Sequence, residues 1–215
     1  MPLTGRRPGV IFDLDGTLVD SLGDIAAAMN QALEGHGFPV HPVDAYRSFI
    51  GEGVRKLAER AMPPGTEEAR PAVLSAYEAE YVRQLPGTSR LYPGIPALLD
   101  GLSRAGYPMA VLSNKPDAPT RRIADALLSA WSFRAVAGER PGIPRKPDPV
   151  GALELARALE RLPGEVVLVG DTLIDVTTAR AAGMHPLGVL WGFRAEEVAA
   201  SGVPTVHRPE EVLAF

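Results

Sequence analysis

Short apolar runs alternating with amphipathic helical stretches fill the second half of this chain, and no other feature restricts the fold as strongly. The runs GVIFDL (9–14), PMAVLS (108–113), EVVLVG (165–170) and HPLGVL (185–190), with a fifth at FRAVAG (133–138), are aliphatic or β-branched and end at turn residues. Strands buried on both faces read this way. Helical periodicity marks IPALLDGLSRAG (95–106), DAPTRRIADALL (117–128), PVGALELARALERL (149–162) and TLIDVTTARAAG (172–183). Strand alternating with helix predicts a parallel sheet covered on both faces, and right-handed crossovers then gather every strand's C-terminal end on one edge.

One stretch breaks the alternation. Residues 21–86 contain no strand signal: SLGDIAAAMNQALEGHG puts Leu22, Ile25, Ala26, Met29 and Leu33 on one helical face, and GEGVRKLAERAM (51–62) and TEEARPAVLSAYEAEYVRQL (66–85) are helical in pattern too. Pro71 is expected to strain the last of these near its start. The chain therefore reads as an α/β protein, a Rossmann-like doubly wound parallel sheet formed by 1–20 and 87–215, with an all-helical cap domain, 21–86, inserted after the first strand. The 22 glycines and 21 prolines are scattered between elements and read as turns.

Composition narrows the function classes. A net charge of −4 with no basic block offers no footprint for nucleic acid or an anionic membrane surface. No apolar segment reaches the length of a membrane span, and MPLTGRRPGV lacks the apolar region of a signal peptide. With no cysteine there is no disulfide framework, thiolate metal site or thiol nucleophile. A cytoplasmic protein, monomeric or homodimeric, is expected. The four histidines fall in or near turns without metal-ligand spacing, and Trp131 and Trp191 read as packing residues, with WGFR (191–194) close to the expected site edge.

Four polar fragments lie at the C-terminal ends of the expected strands, where α/β sheets place their sites. They are DLDGT (13–17), LSNK (112–115), PRKPDP (144–149) and GDTLID (170–175). Taken singly, each has an ordinary reading as a turn or a helix cap; four on one edge are hard to explain that way. Together and in this order they resemble the motifs of the haloacid dehalogenase superfamily, in particular its Asp-x-Asp phosphatases with a helical cap. The resemblance implies that Asp13 is a nucleophile forming an aspartyl-phosphate, and that Asp15 is the acid towards the leaving oxygen and the base for the hydrolytic water. It further implies that Ser113 and the Asn114 amide hold phosphoryl oxygens and that Lys146 offsets charge. Single-residue spacing sends Asp13 and Asp15 to one face of an extended chain. A free aspartate is ionised at neutral pH, and a close carboxylate pair raises one member's pKa.

Charge then calls for a cation. Asp13, Asp171, Asp175 and a phosphoryl dianion repel by about 4 kcal/mol per pair of unit charges at ~4 Å and an effective dielectric of ~20. An all-oxygen, carboxylate-rich set selects Mg²⁺. By resemblance Asp13 and Asp171 ligate it through side chains, Asp15 through its backbone carbonyl, and Asp175 through water or from behind the ligands.

IGEGVRKLAERAM, LYPGIPALLDGLSRAGYPMAVLSNKP and VGDTLIDVTTARAAGM resemble the phosphoglycolate phosphatase branch, so a small phosphorylated metabolite, with 2-phosphoglycolate first, is the expected substrate. The scaffold also admits a hexose-phosphate phosphomutase or a pyrophosphatase, and a binding module without turnover is the third possibility. Substrate choice should reside in the cap, where Arg55, following the Gly51–Gly53 loop, is a candidate for pairing with a carboxylate; the ordinary alternative is a solvated helix face.

Overall fold

The computed structural model describes residues 6–215; residues 1–5, part of the N-terminal segment read above, lie outside them. Strand β1 (Gly9–Phe12) leads into a tight turn and a short strand β2 (Val19–Asp20), after which come α1 (Leu22–Gly35), α2 (Tyr46–Phe49), α3 (Val54–Ala61) and α4 (Arg70–Gln84). The chain returns through β3 (Arg90–Leu91), antiparallel to β2 with Val19 opposite Leu91. It then alternates through α5 (Ile95–Arg104), β4 (Met109–Pro116), α6 (Asp117–Leu127), β5 (Phe133–Glu139), α7 (Val150–Ala158), β6 (Val166–Gly170), α8 (Leu173–Ala182), β7 (His185–Val189), α9 (Ala195–Ala199) and β8 (Thr205–Val206).

Six of these strands form one parallel sheet in the order β5–β4–β1–β6–β7–β8. The five expected strands are all present. The sixth, β8, has two residues and offers no periodicity to detect. β1 shows why its sequence is apolar throughout: Ile11 joins a core with Leu155 of α7 and Ala179 of α8, whereas Val10 and Phe12 face the opposite layer with Leu98 and Leu102 of α5. Both faces are covered, as a parallel sheet requires. Among the described residues no helix is long and apolar enough to cross a membrane.

The inserted helices pack by the stripe their sequence displays. Leu22, Ile25, Ala26, Met29 and Leu33 of α1 are all buried, together with Val73, Tyr77 and Tyr81 of α4. Fully burying one such large side chain is worth roughly 1.5–3 kcal/mol, enough to fold helices whose lengths alone would be marginal. Pro71 does not strain α4. A 3-10 turn, Glu67–Ala69, precedes a helix that starts at Arg70, so the proline sits in the first turn, where its missing N–H has no helical partner to lose.

Asp24, in the first turn of α1, joins the outgoing and returning connections. Its carboxylate accepts bonds from Thr88 N (2.9 Å), Thr88 Oγ1 (2.6 Å), Ser89 N (2.8 Å) and Ser89 Oγ (2.5 Å). Burial pushes its pKa up, but the hydrogen bonds from Ser89 and Thr88 outweigh this and hold it below the usual aspartate value. A depressed carboxylate stabilises the fold above its unfolded pKa of about 3.9 and loses that contribution as pH falls through the folded value. Asp24→Asn should therefore lower the unfolding free energy by about 1–3 kcal/mol near pH 7, with the gap to the parent narrowing below about pH 4. Urea denaturation of both proteins across pH 3–7 measures this.

Candidate active site

The sheet fixes the location. From β1 the chain builds first towards β4 and β5 and later towards β6, β7 and β8, so the strand order reverses around β1 and leaves a crevice at the C-terminal ends. Asp13 follows β1 directly, and its N–H extends the ladder by donating to Val169 O at 2.9 Å. Asp15 lies two residues on. Both line a cavity of about 50 Å³, walled on one side by Ser113, Asn114, Lys115, Lys146, Thr172 and Phe193. Ile25, Ile50, Val54, Leu57 and Tyr77 of the inserted segment form the other side.

Lys146 is the electrostatic centre. Its Nζ lies 2.9 Å from Asp13 Oδ1 and 2.6 Å from Asp175 Oδ1, with nearly all of its side chain out of solvent. Burial works against its charge, yet Asp13 and Asp175 hold its pKa above the ordinary lysine value. Carboxyl oxygens of Asp13, Asp171 and Asp175 all fall within 4.8 Å of one another. Burial, opposed by Lys146 and reinforced by Asp175 and Asp15, pushes Asp13 up to about 7. Burial and the charges of Asp13 and Asp175 push Asp171 well above the aspartate range.

Asp171 is enclosed by backbone. It accepts from Phe193 N at 2.7 Å and Thr17 Oγ1 at 3.2 Å, while Trp191 Nε1 donates to Thr17 O at 3.0 Å. Trp191, Gly192 and Phe193 thus belong to the site's wall, beyond the packing role read for Trp191. A Cβ on Gly16, at φ +83°, would stand 2.2 Å from Asp171 Oδ2, and one on Gly192 would stand 2.3 Å from Asp171 Cβ. Only glycine permits this approach. Asp175 sits differently: Lys146 occupies Oδ1, and Thr172 N (3.2 Å) and Oγ1 (2.6 Å) occupy Oδ2. It caps α8 and seats Lys146, so of the three it is the least free to ligate.

Ser113, Asn114 and Lys115 belong to β4 itself, which runs three residues past its expected end. Ser113 Oγ accepts from Lys115 N at 3.2 Å. The Asn114 side-chain amide donates to Gly51 O (3.0 Å) and Lys146 O (2.9 Å), tying the inserted segment to the sheet edge. Lys115, not singled out in the sequence, is buried with Nζ at 2.9 and 2.8 Å from the two oxygens of Asp15, which also accepts from Ser21 Oγ at 2.5 Å. The Tyr81 ring lies 4.7 Å from the same ammonium. Arg55 is not brought to this cavity. It is exposed on α3, whose Val54 and Leu57 line the wall, because the apolar face of that amphipathic helix turns inward.

The model for haloacid dehalogenase-like hydrolases matches residues 8–183. The chain belongs to this family. A phosphoglycolate phosphatase of Mesorhizobium japonicum is 32% identical over 196 residues, covering 89% of this chain and 86% of that protein. One of Aquifex aeolicus is 32% identical over 184 residues, covering 86% and 85%. A haloacid dehalogenase-like family hydrolase of Streptococcus pneumoniae superposes with a TM-score of 0.87 at 25% identity, covering 97% of each chain. This haloacid dehalogenase-like hydrolase is an enzyme, a phosphoric monoester hydrolase.

Its acidic cluster fits a divalent cation. Four carboxylates (Asp13, Asp15, Asp171, Asp175) meet two ammonium groups (Lys115, Lys146), an excess of about two negative charges before any substrate arrives. Burial first, and then repulsion from neighbouring carboxylates, raises Asp13 and Asp171, and a buried all-oxygen donor set suits a hard dication. Because Gly192 gives Asp171 its room, Gly192→Ala should cost about 1–3 kcal/mol of stability and more than tenfold in kcat/KM, read by thermal melting and a phosphatase assay.

Proposed function

We propose that this phosphoric monoester hydrolase is a Mg²⁺-dependent phosphatase of small phosphorylated carboxylates, 2-phosphoglycolate foremost, working through an aspartyl-phosphate on Asp13. The observation that carries it is the pairing of Asp13 with Lys146 and of Asp15 with Lys115 in one cavity. A nucleophilic carboxylate needs a cation to approach an anionic phosphoryl group, and a second carboxylate must serve the leaving oxygen. Relatives sharing about a third of the sequence carry the name phosphoglycolate phosphatase.

Asp13 Oδ attacks phosphorus while Asp15 protonates the departing oxygen; Asp15 then draws a proton from water as that water opens the acyl phosphate. Ser113 Oγ and the Asn114 backbone amide orient the phosphoryl oxygens, and Lys146 favours the ionised form of Asp13 while offsetting its charge. Asp13 and Asp171, with the Asp15 backbone carbonyl, hold Mg²⁺, which neutralises phosphoryl charge in a site otherwise too acidic to accept a dianion. Asp175 acts from behind, through Lys146.

Asp13→Asn should abolish turnover with the fold intact by circular dichroism; residual activity in a sample free of deamidated protein would exclude Asp13 as nucleophile. Exhaustive chelation should remove activity and Mg²⁺ restore it. Independently of turnover, Mg²⁺ at about a hundredfold excess over its Kd should raise Tm by ~5–10 °C in the parent and not in Asp171→Ala.

A further inference from the structure

We propose that Lys115, not a residue of the inserted helices, reads the anionic end of the leaving group and so sets the enzyme's preference for esters of 2-hydroxy acids. The proposal rests on the phosphatase reading above and adds the residue that selects the substrate.

A phosphorylated carboxylate brings a charge that the cavity must answer with a cation. Lys115 and Lys146 are the cationic side chains that line it. Lys146 is committed to Asp13 and Asp175, facing the phosphoryl end. Arg145, just outside, donates to Glu52 O at 3.1 Å and pairs with Glu139 at 3.6 Å. Arg55 points to solvent, and the facing wall of Ile25, Ile50, Val54, Leu57 and Tyr77 carries no formal charge.

Lys115 is placed for the task. An ammonium has three N–H donors, and Asp15 takes two. The Tyr81 ring supports its position from the side of α4, and burial strengthens any interaction it makes with an anion. The spacing then selects the ligand. Asp15 serves the ester oxygen, and Lys115 Nζ lies 2.8–2.9 Å from that same carboxylate. A group that brings its ester oxygen to Asp15 presents to Lys115 whatever is attached one carbon further on. In a 2-hydroxy acid that is the carboxylate. The apolar wall opposite leaves room for a hydrogen or a short alkyl group on the intervening carbon and opposes a second charge.

The test compares 2-phosphoglycolate with ethyl phosphate, which has the same number of carbons and no carboxylate. Lys115→Met removes the countercharge of Asp15 for every substrate, so both rates fall; the informative quantity is the ratio of the two kcat/KM values. That ratio should drop about 10–100-fold, mostly through KM for phosphoglycolate, and recover in part in Lys115→Arg. Product inhibition gives a readout that does not depend on the lost rate: glycolate should inhibit Lys115→Met at least tenfold more weakly, with inhibition by inorganic phosphate little changed. A parent enzyme without preference for phosphoglycolate would overturn the substrate reading and this proposal with it. A parent that prefers phosphoglycolate, beside a Lys115→Met variant with an unchanged ratio, would overturn only the role of Lys115. Should Lys115→Met fail to fold by circular dichroism, Lys115→Gln carries the same comparison.

Discussion

Everything at the sheet edge depends on one ammonium group held between two carboxylates. Lys146 bridges Asp13, which ends β1, and Asp175, in the first turn of α8, so it couples two segments that the sheet merely sets side by side. Remove the charge and three carboxylates within 4.8 Å of one another would be left buried together, each pair repelling by several kcal/mol. Such a centre is costly, and breaking one partner of a buried ion pair typically costs more than the pair contributes. On the proposed function that cost lies where a dication and a phosphoryl group would bind. Asp175 also caps α8 through Thr172, so a single side chain fixes both the helix start and the lysine.

Much of this was legible in the chain. The five longer strands follow from apolar runs bounded by turn residues and the stripe of α1 from its helical period, and Asp13, Asp15, Ser113, Asn114, Lys146, Asp171 and Asp175 were collected because parallel strands end together. Pairings across the chain were not legible. Asp15 and Lys115 are 100 residues apart, and no local pattern marks them as partners. One signal was available: on an extended strand residues i and i+2 share a face, so a Ser113 facing the phosphoryl group implies that Lys115 faces the same way. Arg55 lies outside the cavity for a complementary reason. A helix facing an apolar cavity turns Val54 and Leu57 inward and leaves its arginine outside. The sequence put WGFR (191–194) near the site edge but not its contact with Asp171, because a backbone N–H leaves no mark in residue type, beyond the glycine that makes room for it.

The inserted helices are tied to the rest of the chain at several places, one of them where Arg122 of α6 donates to Val82 O (2.9 Å) and Leu85 O (3.1 Å). At the Gly51–Gly53 loop the links are backbone carbonyls meeting single donors: the neutral Asn114 amide to Gly51 O, and the charged Arg145 guanidinium to Glu52 O. At the connection to the sheet, Asp24 takes four bonds from Thr88 and Ser89, two of them at 2.6 Å or less. Hydrogen bonds to a charged group contribute about 1.5–3 kcal/mol and those between neutral groups about 1. Asp24 therefore anchors its connection with more charge-assisted bonds than the Gly51–Gly53 loop makes. Asn114 adds a consequence. The amide that ties down Gly51 also bonds to Lys146 O, so contact between the inserted segment and the sheet bears directly on the loop carrying the central lysine. Through this one amide the position of the Gly51 loop and the backbone at Lys146 are held to each other and to the end of β4.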